Sequence, residues 1–77
     1  MNTTAKDLQE FCIVQMTALC STPGRTDSSV YSELAEYSGM GKSYVRQFHI
    51  GERPNLTTDT LDRLVDAVKQ AMRKAAA

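Results

Sequence analysis

The side chains that could do chemistry are two thiols, Cys12 and Cys20, one imidazole, His49, and the run Gly41-Lys42-Ser43. Two cysteines and one histidine supply too few ligands, at no familiar spacing, for a zinc site. A phosphate-binding loop would need an earlier glycine where Glu36 stands and a strand before it. No acid–base pair and no nucleophile with a base in reach is apparent. The sequence therefore predicts no catalytic residue, no metal site and no cofactor, and the chain is not expected to be an enzyme.

The expected redox state of the two cysteines indicates the cellular compartment. On one helix, Cys12 and Cys20 would lie about 12 Å apart along the axis, whereas a disulfide needs Cα atoms within about 7 Å. We expect reduced thiols that pack in a core, with an intermolecular bridge as the alternative. The apolar run at residues 11–14 lacks a basic segment before it and is too short for an export signal or a membrane span. These features predict a cytoplasmic protein.

Length and composition indicate one domain over residues 1–77. The chain has 77 residues, of which 42% are hydrophobic and 23% charged, and nine basic residues balance nine acidic ones to a net charge of zero. Overall charge thus predicts neither nucleic acid nor membrane as a partner, so the local distribution of charge must decide. Lys42, Arg46 and Arg53 against Glu52 give residues 40–56 a charge of +2. Residues 27–39 carry three acidic side chains and a charge of −3.

Helical periodicity and turn residues divide the chain into four helical segments, and no segment alternates like a strand. The first covers residues 4–20, with Thr4 as N-cap and Asp7 completing a capping box. The others run from a cap at Asp27, Ser28 or Ser29 to Tyr37, from Lys42 to about His49, and from Thr57 or Thr58 onward. The expected fold class is all-α, a compact domain of four to five helices that ends in a long C-terminal helix.

Residues 31–50 carry the most specific pattern. Ala35 is small where two steeply crossing helices would touch, and Gly39 permits a left-handed turn between them. Four apolar residues at fixed offsets around these two are expected to be buried: Leu34, Met40, Val45 and Phe48. This is the spacing of a helix-turn-helix motif.

The pattern resembles the helix-turn-helix of the Cro and phage-repressor family, the lambda-repressor-like DNA-binding domains. Residues 39–54 are similar to the recognition helix and the glycine-containing turn after it, and residues 58–64 to the start of the following helix. The likeness covers residues 29–68, about half of the chain. It implies a lambda-repressor-like fold and a sequence-specific transcriptional regulator, a small phage or prophage repressor located at the bacterial nucleoid.

Three residues depart from the family pattern. Gly41 stands where a serine or threonine usually caps the recognition helix; glycine is a weaker cap but lets a backbone N–H approach phosphate. Tyr31 stands where a phosphate-contacting glutamine is common, and its hydroxyl could serve there or belong to a core tyrosine. His49 replaces a common acidic residue and is expected to be an ordinary exposed helix residue.

The resemblance also assigns roles toward double-stranded DNA. If Val45 and Phe48 are buried, the outward side chains of the recognition helix are expected to contact base edges: Lys42, Ser43, Arg46 and Gln47. Contacts to phosphate are expected from a second set: Tyr31, Gly41, Tyr44, Arg53, Asn55 and Thr57.

One such domain spans few base pairs, so we expect a homodimer on a palindromic operator, with half-sites about 10 base pairs apart or a multiple of that. The expected interface uses apolar residues of the first helix and of the last, whose extension covers residues 69–77: Ile13, Val14, Val68, Met72 and Ala75. Neighbouring elements that cover Ile13 and Val14 are the alternative. Two other functions remain open, an antitoxin-type autorepressor with a protein partner and a protein-binding module that no longer contacts DNA.

Overall fold

The computed structural model describes residues 4–52 and 56–76 and contains four α-helices. They are α1 (Ala5–Cys20), α2 (Asp27–Ser38), α3 (Lys42–His49) and α4 (Thr58–Ala76). The described residues contain no strand. The all-helical class predicted from the sequence is confirmed, and the boundaries of α1 and α3 agree with the predicted segments.

Hydroxyl side chains cap three of the helices. As expected, Thr4 Oγ1 accepts a hydrogen bond from the Asp7 N–H at 3.1 Å, and the Asp7 carboxylate accepts one from the Thr4 N–H at 3.3 Å. Thr57 Oγ1 accepts from the Thr60 N–H at 3.3 Å, which satisfies an amide in the first turn of α4. These caps place the starts of α1 and α4 where the sequence predicted them.

The cap of α2 corrects the sequence-based prediction. Thr26, not Asp27, Ser28 or Ser29, is the N-cap, because its Oγ1 accepts from the Ser29 N–H at 3.1 Å. Ser29 Oγ in turn accepts from the Thr26 N–H at 3.2 Å. Serine therefore fills the position that an acidic residue usually holds in a capping box, a substitution that made Thr26 look like part of the loop.

The core lies where α4 packs against α1 and α2, while α3 packs mainly on α2. Cys12, Met16 and Leu19 of α1 meet a buried stripe of α4 made of Leu61, Leu64, Val65, Ala67, Val68 and Ala71. Val68 has an exposed fraction of 0%. Its predicted place in a dimer interface is therefore wrong, because the side chain is used entirely inside the domain.

Both cysteines are free thiols on α1, Cys12 buried and Cys20 half-buried. Burial raises the pKa of each thiol to about 11, so both are protonated near neutral pH and are poor nucleophiles. Within residues 4–52 and 56–76, no helix has the length and apolar character needed to cross a membrane.

Replacing Thr26 with alanine tests the α2 cap. Thr26→Ala should lower the free energy of unfolding by about 1 kcal/mol, because the Ser29 N–H loses its acceptor. Urea denaturation monitored by circular dichroism measures this. Ser32→Ala, at an exposed position inside α2, is the matched control and should leave stability unchanged or slightly raised. Equal losses in the two variants would contradict the assignment of the cap.

Candidate nucleic-acid interface

A left-handed turn joins α2 to α3. Gly39 ends α2 with φ 74°, and its N–H donates to the Ala35 carbonyl at 2.9 Å. Ser38, buried just before it, donates from Oγ to the Leu34 carbonyl at 2.6 Å and accepts from the Met40 N–H at 3.3 Å. The polar groups that the turn would leave unpaired are thus satisfied locally. Ser38 and Gly39 were predicted to end α2, and Gly39 to permit the turn; the hydrogen bonds of the buried Ser38 hydroxyl were not predicted.

The two faces of α3 differ sharply in burial. Val45 and Phe48 are buried together with Leu34 of α2, as predicted, while Ala35 and Met40 are partly buried against the same cluster. On the opposite face three of the predicted base-contacting residues are exposed and the fourth is partly buried: Lys42, Ser43, Arg46 and Gln47. Tyr44, predicted to contact phosphate, is also partly buried. The structure therefore brings the predicted base-contacting set together on one short helix.

The amino-terminal part of α2 and the whole length of α3 border a shallow cleft of about 490 Å³. Lys42 Nζ crosses between the helices and donates to Ser28 Oγ at 2.5 Å. Lys42, Arg46 and Ile50 line one side of the cleft, and Asp27, Ser28 and Tyr31 the other. Ile50, 48% exposed at the end of α3, is a member of this surface that the sequence analysis missed. Its signal was an isoleucine at a helix end outside the apolar spacing.

Within the described residues, Lys42 and Arg46 form no ion pair with the acidic residues of α2, although Asp27 lines the same cleft. Glu33 forms an ion pair with Arg25 at 2.5 Å, and Arg63 pairs with Asp59 within α4. Neither Lys42 nor Arg46 forms an ion pair within the described part of the chain. Their positive charges are therefore available to an external anion.

His49 joins three helices and is not the ordinary exposed residue that the sequence analysis expected. Thr17 Oγ1 of α1 donates to the Ile13 carbonyl at 2.9 Å, so its contact with His49 Nε2, also 2.9 Å, requires the imidazole to donate. His49 Nδ1 then accepts from the Tyr31 hydroxyl of α2 at 2.6 Å. The neutral tautomer with its hydrogen on Nε2 satisfies every group. Burial lowers the pKa of His49, against a smaller opposing effect of Asp27.

The same contacts decide the alternatives for Tyr31. The residue is 6% exposed, belongs to the core, and already uses its hydroxyl on His49. The core position is the one observed, so the predicted phosphate contact of Tyr31 is corrected. Burial is also the main cause that raises the pKa of its phenol, which stays protonated and able to donate.

Other predicted phosphate contacts are placed more loosely. Gly41 is the N-cap of α3 and, as expected for glycine, provides no side-chain hydrogen bond to the first amides of the helix. Thr57 is exposed and its hydroxyl caps α4. Arg53 and Asn55 lie outside the described residues.

The remaining residues of the predicted dimer interface divide by exposure. Ile13 and Met72 are partly buried against the core of their own domain. Val14 is 61% exposed and Ala75 is exposed as well. Val14 and Ala75 are therefore the members of the predicted interface that a second copy could contact directly.

No known protein-family model, no curated protein and no solved structure matches this chain. The function is therefore inferred from the α2–turn–α3 geometry itself.

A pair of glycine substitutions tests the turn on which this surface depends. Gly39→Ala should lower the free energy of unfolding by about 1 to 2 kcal/mol, because a left-handed backbone forces Cβ toward a carbonyl oxygen. Gly41→Ala is the control, with φ −69° and an added Cβ that meets no atom within 4 Å. Its effect should stay within about 0.5 kcal/mol, since the lower entropy of the unfolded chain offsets the poorer cap. Denaturant titration of both variants gives the comparison, and a Gly39→Ala variant as stable as the parent would contradict it.

Proposed function

We propose that this protein is a sequence-specific double-stranded DNA-binding regulator, a small repressor of the Cro type that binds a palindromic operator as a dimer. One observation carries the proposal: a short helix is held by its apolar edge against α2 through a left-handed turn, while its other edge presents Lys42, Ser43 and Arg46 to solvent. This is the arrangement that a recognition helix needs.

The dimensions of α3 fit the proposed partner. Its eight residues make a rod about 12 Å long, and the major groove of B-DNA, about 12 Å wide, admits one helix with its side chains. The contacts of α3 are mainly with α2, so its polar edge can enter the groove without disturbing the core formed by α1 and α4. Helix α2 would then cross the sugar–phosphate backbone.

The four predicted base-contacting residues of α3 have complementary abilities toward base edges. Gln47 can form two hydrogen bonds with adenine, Lys42 can donate to guanine, and Ser43 can pair with several bases. Arg46 suits either guanine or a phosphate, because its guanidinium is a fixed fork of donors. Lys42 and Arg46 are cationic and form no ion pair within the described residues, so the surface attracts the anionic duplex.

Phosphate contacts fall on the flanks of α3 in this proposal. The amino end of α3 at Gly41 offers backbone N–H groups and the positive end of the helix dipole. Tyr44 in α3 and Thr57 at the cap of α4 carry hydroxyl groups. The net charge of the whole chain is zero, so binding to arbitrary sequences is expected to be weak. Affinity would then come chiefly from fitted contacts at one operator.

Selection from a random duplex pool, at about 50 mM and again near 150 mM salt, tests the proposal because phosphate contacts weaken steeply over that range. A two-fold symmetric site that persists at the higher salt is expected. On that site Gln47→Ala should cost about 1 to 3 kcal/mol and relax the preference at one position. If Arg46 contacts a base, Arg46→Ala should relax the preference at another position of the site. If it contacts a phosphate, Arg46→Ala should lower the affinity for all duplex sequences alike.

Matched controls lie on α4. Gln70→Ala and Arg73→Ala remove the same side chains from exposed positions of another helix and should change affinity little. No enrichment of any duplex at low salt would overturn the DNA-binding proposal and favour a protein-binding module. Equal losses from Gln47→Ala and Gln70→Ala would contradict the assignment of α3 as the recognition helix.

Dimer formation is tested at the exposed members of the proposed interface. Val14→Asp and Ala75→Asp should each yield a folded monomer that no longer binds the symmetric site tightly, because a desolvated carboxylate opposes apolar contact between copies. Both positions are exposed, so the fold should persist. Sedimentation measures the state, with Gln70→Asp as the control. A chain that stays dimeric in both variants would contradict this interface.

A further inference from the structure

We infer that His49 is a positioning residue for DNA recognition: by hydrogen-bonding α1 and α2 at the carboxyl end of α3, it fixes the angle at which α3 presents its base-contacting face. The inference rests on the proposed DNA-binding function. It adds a residue that contacts no base and a dependence of specific affinity on pH.

The need for such an anchor follows from how α3 is held. Its amino end is tied to α2 by the short turn at Gly39, and its packing is mainly on that same helix. Val45 and Phe48 secure its middle. At the far end, His49 provides a link to α1 through Thr17, at 2.9 Å, and a second link to α2 through Tyr31, at 2.6 Å. Without these links, only the turn at Gly39 and the packing of Val45 and Phe48 would hold α3, and its carboxyl end could tilt.

The hydrogen-bond pattern permits one protonation state at low cost. In the neutral ring Nε2 donates to Thr17, and Nδ1 accepts from the Tyr31 hydroxyl. A proton added to Nδ1 would place two donors face to face, and the phenol would have to turn its hydrogen away and lose its acceptor. Protonation therefore reverses this hydrogen bond, leaves the phenol hydrogen without its acceptor and disturbs the link to α2 that positions the end of α3.

The charged and titratable groups that act on His49, or on its partner Tyr31 and the neighbouring thiol, come from three helices and a loop. Asp27 on α2 favours the imidazolium, whereas burial disfavours it more strongly and lowers the pKa of His49. Tyr31 on α2 and Cys20 on α1 are neutral, because burial raises the pKa of each. Against the effect of burial, the guanidinium of Arg46 on α3 lowers the pKa of the Tyr31 phenol. The guanidinium of Arg25, in the loop before α2, does the same to the pKa of the Cys20 thiol. Of these groups Asp27 favours the charged ring, and burial outweighs it.

Positioning and simple electrostatics predict opposite signs. A protonated His49 adds a positive charge near the proposed DNA surface, which by itself would strengthen binding as pH falls. A disturbed Tyr31 link would instead weaken binding to the operator and leave binding to arbitrary DNA unchanged or stronger. The ratio of specific to non-specific affinity therefore separates the two effects.

The experiment uses the full chain, the duplex recovered by selection and a scrambled duplex of the same length. Dissociation constants are measured between pH 7.5 and 5.0 at constant ionic strength, for the parent, His49→Gln and Tyr31→Phe. The parent should lose about fivefold or more in specific affinity toward pH 5, below the one-proton limit of about tenfold per pH unit. His49→Gln should bind more weakly at pH 7.5 and show no such fall. Tyr31→Phe should likewise bind more weakly at pH 7.5 and show no such fall, because the link that protonation disturbs is already absent.

Stability is followed by urea denaturation at each pH so that unfolding is not taken for loss of positioning. Folding lowers the pKa of His49. The contribution of the neutral side chain to folding stability is therefore complete above about pH 6.5 and is lost as pH falls through the folded pKa. Dissociation constants of the parent and the variants are compared only at pH values where each chain stays folded.

Two results would overturn the inference while leaving the proposed function intact: identical pH profiles for the parent and His49→Gln, or specific binding that tightens on acidification. Binding to no duplex at any pH would instead overturn the proposed function, and this inference with it.

Discussion

An eight-residue helix is not stable alone in water, so α3 exists only because its apolar edge is buried on α2. Val45 and Phe48 supply that burial, and the left-handed Gly39 turn brings them over Leu34. This constraint fixes which residues of α3 face solvent, since burying two positions on one edge leaves Lys42, Ser43 and Arg46 on the other. The proposed DNA surface is thus a consequence of core packing.

The rest of the domain can be understood as support for that short helix. The long helix α4 contributes six buried residues and packs against α1 and α2, which makes α2 a rigid platform. The caps at Thr26 and Thr57 fix where α2 and α4 begin. His49 then connects the far end of α3 to both α1 and α2. A domain of 77 residues has little core to spare, so a few hydrogen bonds at the edge of the core carry much of the precision.

Electrostatics gives a consistent picture at the local scale. The zero net charge of the chain conceals a surface on which Lys42 and Arg46 have no acidic partner within the described residues, while Glu33 is engaged by Arg25. Charge neutrality overall limits attraction to arbitrary polyanions. A regulator of this kind would therefore depend on the geometry of α3 for its affinity, which explains why a positioning residue such as His49 would matter.

The sequence alone determined what depends on residues close together in the chain. Helical spacing predicted the helices, the Thr4–Asp7 capping box placed the start of α1, and Gly39 with Val45 and Phe48 predicted the turn and its buried edge. Only the tertiary structure decided which part of the apolar stripe of α4 is used inside the domain, including Val68, because a stripe that covers its own core and one that meets a second copy have the same spacing. It also decided the roles of Tyr31 and His49. The hydrogen bonds of His49 join residues 32 and 18 positions away, and no local pattern encodes contacts that only the packing of three helices creates.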